Sequence, residues 1–149
     1  MPLDPSFIGR VYPPSSPYVV SAAKILEFAD AIGDLSPVYR DSAAARAAGY
    51  PDVIAPPTFA TLVNLRAIGD IVGDPKLGLD WSRVVHAEQG FSHRRPVRAG
   101  DALVVVPTIK DIMFRAGNDF LSISTEISTV DGEPVLVASA LLVARGADA

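Results

Sequence analysis

Two adjacent prolines, Pro56 and Pro57, followed by fourteen residues that are apolar in every direction, constrain this chain more than any other stretch. Proline ends whatever precedes it, and its fixed φ suits the first turn of a helix, so a helix is predicted to begin at Pro57. From Phe59 to Val72 the residues Phe59, Ala60, Leu62, Val63, Leu65, Ala67, Ile68, Ile71 and Val72 point to all sides of a 3.6-residue wheel. Such a segment predicts a helix enclosed by protein. At about 21 Å it is too short to cross a bilayer. It is therefore expected to be the central helix of a core, with sheet packed around it.

Ahead of this helix, Pro13, Pro14 and Pro17 forbid helix and suit an extended or edge-strand path, with a short strand at Tyr18 to Val20. Ser21 is a predicted N-cap for an amphipathic helix carrying Ile25, Phe28, Ala29 and Ile32 and ending at Gly33. Asp41 caps a short alanine helix that ends at Gly49. Beyond the loop from Gly73 to Gly78 the chain reads as sheet. Val84 to Arg94 has strand character, and Leu103 to Met113 carries Pro107, which predicts an edge or bulge. After a turn at Ala116 to Asp119, Leu121, Ile123, Thr125, Ile127 and Thr129 alternate with polar residues. Asp131-Gly132 is a hairpin signal leading into Val135 to Val143. The reading is one α+β domain over residues 1–149, with one buried helix against a curled antiparallel sheet.

Composition excludes several chemistries. The chain has no cysteine, so disulfides and thiolate catalysis are ruled out. A net charge of −4 argues against nucleic acid or an anionic membrane as partner. The first residues lack the basic patch and apolar run of a signal peptide, which makes the cytoplasm the expected compartment. His86 and His93 have no third ligand in sight and read as strand or solvent histidines, so no metal is expected. No phosphate-loop or dinucleotide pattern occurs, and no cofactor is expected.

Gly33-Asp-Leu-Ser-Pro-Val-Tyr-Arg-Asp41 resembles the signature of the MaoC-like (R)-specific enoyl-thioester hydratases and dehydratases, Gly-Asp-x-Asn-Pro-(apolar)-His-x-Asp. Gly33, Asp34, Pro37, Val38 and Asp41 match; Ser36 replaces Asn, and Tyr39 stands at the family's histidine. Ile54 to Thr58 resembles the entry to that family's buried helix, and Phe91 to Asp101 its Phe-x-x-Pro-Val-x-x-Gly-Asp strand turn. The double proline and the lost histidine are most similar to the MaoC N-terminal type of dehydratase domain, which includes the non-catalytic subunit of actinobacterial heterodimeric 3-hydroxyacyl-ACP dehydratases. The resemblance implies a hot-dog fold, a role in fatty acid metabolism and an acyl-CoA or acyl-ACP thioester as ligand. It also implies a dimer, with itself or with a His-bearing MaoC-like chain.

Carried onto this sequence, the degenerate catalytic positions are Asp34 and Tyr39, and the expected acyl-binding positions are Pro57, Thr58, Phe59, Thr61 and Asn64. Asp34 and Tyr39 also read as an ordinary turn residue and a packing residue. Tyrosine titrates near 10, so its use as a base at pH 7 would take about 4 kcal/mol of selective stabilisation. Pro57 falls where the family has a glycine and has no N–H to offer an oxyanion, leaving Thr58 and Phe59 as the expected donors. Arg94, Arg95 and Arg98 could dock a phosphate or an acidic carrier protein, or form a solvated turn. Three functions follow: a dehydratase subunit whose partner supplies Asp and His, a self-sufficient hydratase using Asp34 and Tyr39, or a non-enzymatic acyl-thioester binder.

Overall fold

The computed structural model describes residues 2–146. Three helices, α1 (Ala22–Ala31), α2 (Ser42–Ala47) and α3 (Thr61–Val72), accompany five strands: β1 (Tyr18–Val19), β2 (Val84–His93), β3 (Ala102–Arg115), β4 (Asn118–Thr129) and β5 (Pro134–Ala144). All strands are antiparallel in one sheet of order β1-β3-β4-β5-β2. The sheet curls around α3, which is the hot-dog arrangement. β3, β4 and β5 are sequential hairpin neighbours because their connections are short. Ala116 and Gly117, both at positive φ, make a two-residue turn between β3 and β4. The second connection is longer than the Asp131-Gly132 signal alone implies. It runs from Val130 to Glu133, closed by the Gly132 N–H to the Thr129 carbonyl, with Gly132 at φ +90°.

The predicted caps are present. Ser21 Oγ accepts from the Lys24 N–H, and an Asp41 carboxylate oxygen accepts from the Ala43 N–H. The prolines of the lead-in hold it extended along the outer edge of β3. There Tyr12 donates its N–H to the Pro107 carbonyl, Ser15 to Val105 and Gly9 to Ile109. Pro107 thus lacks its N–H on the side where this segment runs, not on the side paired with β4, so the proline costs the sheet no ladder bond.

The central helix departs from expectation in two ways. It begins at Thr61, with 57–60 forming turns and Ala60 at the cap. Pro57 ends the incoming strand-like path, but the helix waits until Phe59 has turned into the core. The helix is also not enclosed on all sides. Val63, Asn64, Ala67, Ile68 and Ile71 are buried, whereas Leu65, Arg66, Gly69 and Asp70 are exposed and Leu65 keeps 48% of its surface. The sheet reaches around only part of it.

The core has two parts, and α3 runs through both. One gathers Ile25, Phe59, Val63, Ala67, Val97, Leu103, Ile127 and Leu136; the other gathers Leu3, Phe7, Ile68, Ile71, Ile109, Ile123 and Leu142. Each large side chain so buried contributes about 2–3 kcal/mol.

Candidate active site

The loop from Gly33 to Tyr39 is built by the end of α1. Gly33 takes φ +71°, and the Asp34 N–H returns to the Ala29 carbonyl at 2.9 Å. One Asp34 carboxylate oxygen accepts the Ser36 N–H at 3.0 Å, a local turn bond. Arg40 ties the segment down through the Asp34 carbonyl at 2.7 Å and the Asp30 carboxylate at 2.6 Å. The Ile54 N–H donates to the Val38 carbonyl, which lays this loop beside the approach to α3.

That approach is itself clamped to the turn after β2. Ala55 donates to the Val97 carbonyl at 2.7 Å and Ala99 to the Val53 carbonyl at 3.0 Å. Two clefts result, and the Pro57-Thr58 turn contributes one residue to each. The first, about 440 Å³, is bordered by Tyr39, Tyr50, Pro57, His93 and Arg94. The second, about 510 Å³, lies between the start of α3 and β2 and is bordered by Thr58, Thr61, His86, Glu88, Gln89 and Phe91. Both are open clefts, and Asp34 borders neither.

Tyr39 is half-buried and packs against the first core part. Burial, and then the nearby Asp34 and Tyr50, push its phenol above its ordinary value. It is held as a neutral hydroxyl, the opposite of what a base requires. His93 is pushed down by burial, so it stands neutral at pH 7 on the other wall of the same cleft. Its neighbour Phe91 has its ring centroid 6.2 Å from the imidazole. Tyr50 borders this cleft without belonging to any motif that reveals it, and His93, though inside the Phe91 to Asp101 segment, is brought to Tyr39 only by the pairing of distant segments.

Several expected roles change. Phe59 is fully buried, set edge-on against Phe28 at 5.5 Å between centroids, so it is a core residue and offers a ligand no surface. Its N–H is also engaged, donating to the Pro56 carbonyl at 2.9 Å. Of the two expected oxyanion donors, Thr58 alone has no acceptor for its N–H among the described residues. Arg95 also borders the first cleft, but its guanidinium is engaged by the fold: it forms a two-pronged pair with Asp101 at 2.9 and 3.0 Å, donates to the Pro96 carbonyl and reaches Glu133. Arg98 donates its backbone N–H to Asp101 and keeps its guanidinium 3.9 Å from the same carboxylate. Arg94, exposed beside Tyr39 and Pro57, remains the arginine placed to meet an anion. Among the described residues no three His, Cys, Asp or Glu side chains gather as a metal site. No described helix is long and apolar enough to cross a membrane.

Asn64 is buried behind the second cleft. Its Nδ2 donates to Gln89 Oε1 at 3.3 Å, and Gln89 Nε2 donates in turn to the Ser139 carbonyl at 2.9 Å. Asn64 Oδ1 is buried without a partner.

Comparison with known proteins agrees with this architecture. Residues 6–138 match the family model of the FAS1-like dehydratase domain region. A UPF0336 protein of Saccharopolyspora erythraea is 62% identical over 98% of this chain and 94% of its own length. A solved MaoC-like dehydratase superposes with a TM-score of 0.87 at 29% identity, covering 96% of this chain; this chain spans only 43% of that one. The C-terminally truncated HadBC complex of Mycobacterium tuberculosis, a 3R-hydroxyacyl-ACP dehydratase, superposes at 0.82 with 28% identity over 92% of this chain and 96% of its own.

Proposed function

The chain belongs to the FAS1-like dehydratase domain region family, and on that premise we propose that it is a subunit of an (R)-specific 3-hydroxyacyl-thioester dehydratase or enoyl-thioester hydratase. In this reading it helps to bind the acyl chain, and a His-bearing MaoC-like partner supplies the catalytic Asp and His. Elimination of water requires a base for the C2 proton, a proton for the departing 3-hydroxyl and a donor for the negative charge that builds on the thioester oxygen. One observation carries the proposal: the position of the family's histidine holds Tyr39, whose phenol is pushed up rather than down. Pro57 removes a donor, and the Phe59 N–H is already engaged. What remains are walls: the half-buried Tyr39, and Thr58 and Thr61 along the second cleft.

The HadBC structure supports the pairing, since that 3R-hydroxyacyl-ACP dehydratase was solved as a complex. The open edge of β2, with Val85, His86, Ala87 and Glu88 exposed, is the surface that fits such a partner. The ligand is an acyl-CoA or acyl-ACP thioester and the site of action the cytoplasm. Arg94 is the residue suited to a phosphate on the carrier arm.

The test is hydration of a short trans-2-enoyl-CoA. The purified chain should turn over at least about 100-fold more slowly than its complex with a co-expressed His-bearing chain, because a missing general base alone costs about that much. Full turnover by the chain alone, abolished by Asp34→Asn, would establish the self-sufficient enzyme instead.

A further inference from the structure

Asn64, like Arg40 and Thr125, carries a buried side-chain atom with no partner among the described residues. It sits on α3 between the two apolar clusters and is 1% exposed. Its amide orientation follows from its neighbours. The Ser139 carbonyl can only accept, so Gln89 must present Nε2 to it and Oε1 toward the helix. Gln89 Oε1 can only accept, so Asn64 must present Nδ2 to it. The chain of amides, anchored on the sheet backbone, thereby forces Asn64 Oδ1 to face away from Gln89 as a free acceptor. A buried acceptor left without a donor is costly, and native interiors rarely keep one without a purpose. Gln89 also borders the second cleft, and Thr61, one turn before Asn64, borders it too.

We propose that Asn64 Oδ1 is a specificity-determining acceptor for the hydroxyl of a hydroxyacyl chain entering by this cleft. The proposal rests on the thioester reading above and sharpens it: the chain recognises the hydroxylated acyl group and not acyl groups at large. Oδ1 is sealed from bulk water and turned away from Gln89, so the hydroxyl enters past Thr61, the cleft residue one turn before Asn64 on α3, while Gln89 stays in place. Gln89 is then a positioning residue, since it holds the acceptor in the one orientation that reads an O–H. A hydrogen-bonding site of this kind discriminates because a ligand lacking the hydroxyl leaves the buried oxygen unpaired.

The experiment compares calorimetric binding of (R)-3-hydroxyhexanoyl-CoA and hexanoyl-CoA, to the chain alone and to its complex with a His-bearing partner. The hydroxylated thioester should bind about tenfold tighter, and Asn64→Leu should bring the two affinities together. The wild-type ratio on the chain alone, which lacks the partner's Asp and His, tests the idea even if the variant does not fold. Equal affinities for the two thioesters overturn it while leaving the acyl-thioester reading intact, and so does an ordered water alone at Oδ1 in a thioester-bound crystal structure. Binding of neither thioester to either preparation overturns both.

Discussion

Arg95→Met decides whether the arginine turn after β2 holds the fold or the ligand. Asp101 is 7% exposed and receives two guanidinium bonds from Arg95 plus the Arg98 N–H. Removing one member of a buried charge pair costs about 3–5 kcal/mol, because the other is left without compensation. Arg98 stands 3.9 Å away and can swing toward the vacated carboxylate, which places the expected loss near the lower end, about 3 kcal/mol. For a chain of this length that is a drop in Tm of roughly 6–12 °C. The double variant Arg95→Met with Asp101→Leu removes both charges and orphans chiefly the Arg98 N–H, so it should recover most of the loss, to about 1 kcal/mol below wild type. Thermal and urea unfolding of the two single variants and the double variant, read as a double-mutant cycle, measure the coupling. A loss under about 0.5 kcal/mol in Arg95→Met, with weakened thioester binding, would refute the structural role and restore Arg95 as a docking residue.

Tyr12, buried and donating to Asp74 at 2.9 Å, has its phenol pushed up to about 12 by burial and then by that carboxylate. Its contribution is complete below pH 10 and is lost as the pH rises toward 12, so alkaline urea titrations should show stability falling there by up to about 3 kcal/mol and a flatter profile for Tyr12→Phe. Tyr39→His alone should recover little hydratase activity, because Pro57 still offers no N–H; adding Pro57→Gly should raise initial rates on a short enoyl-CoA measurably above either single variant. Sedimentation should give a two-chain particle for the wild type or its complex, and lysines at Val85 and Ala87 on the exposed β2 edge should shift it to single chains without lowering Tm by more than a few degrees.

Periodicity and caps made the architecture legible. Ser21, Asp41, the β3 to β5 alternation and Pro107 all act locally, and local signals survive in a sequence read alone. The helix starts a turn beyond Pro57 because Phe59 sets its entry: the ring must first be buried against Phe28, thirty-one residues away in sequence. The exposed face of α3 was hidden for a related reason. Leu65 is apolar, and whether sheet covers it depends on how far the strands reach. At the candidate site, the motif loops carry Tyr39 and Pro57, which the fold sets on one cleft. Tyr50 and Gln89 enter only through pairing of segments far apart, which no spacing encodes.

The lead-in that lies along β3 has a consequence for stoichiometry. By occupying carbonyls of Val105, Pro107 and Ile109, it leaves that margin of the sheet little to offer another chain, so among the described residues β2 is the long margin open to growth. An object with a single joinable side can be extended only once. Two such sheets, were they to meet margin to margin, would spend their open sides on each other and present covered ones outward, so an assembly made this way would stop at a pair and have no route to a filament.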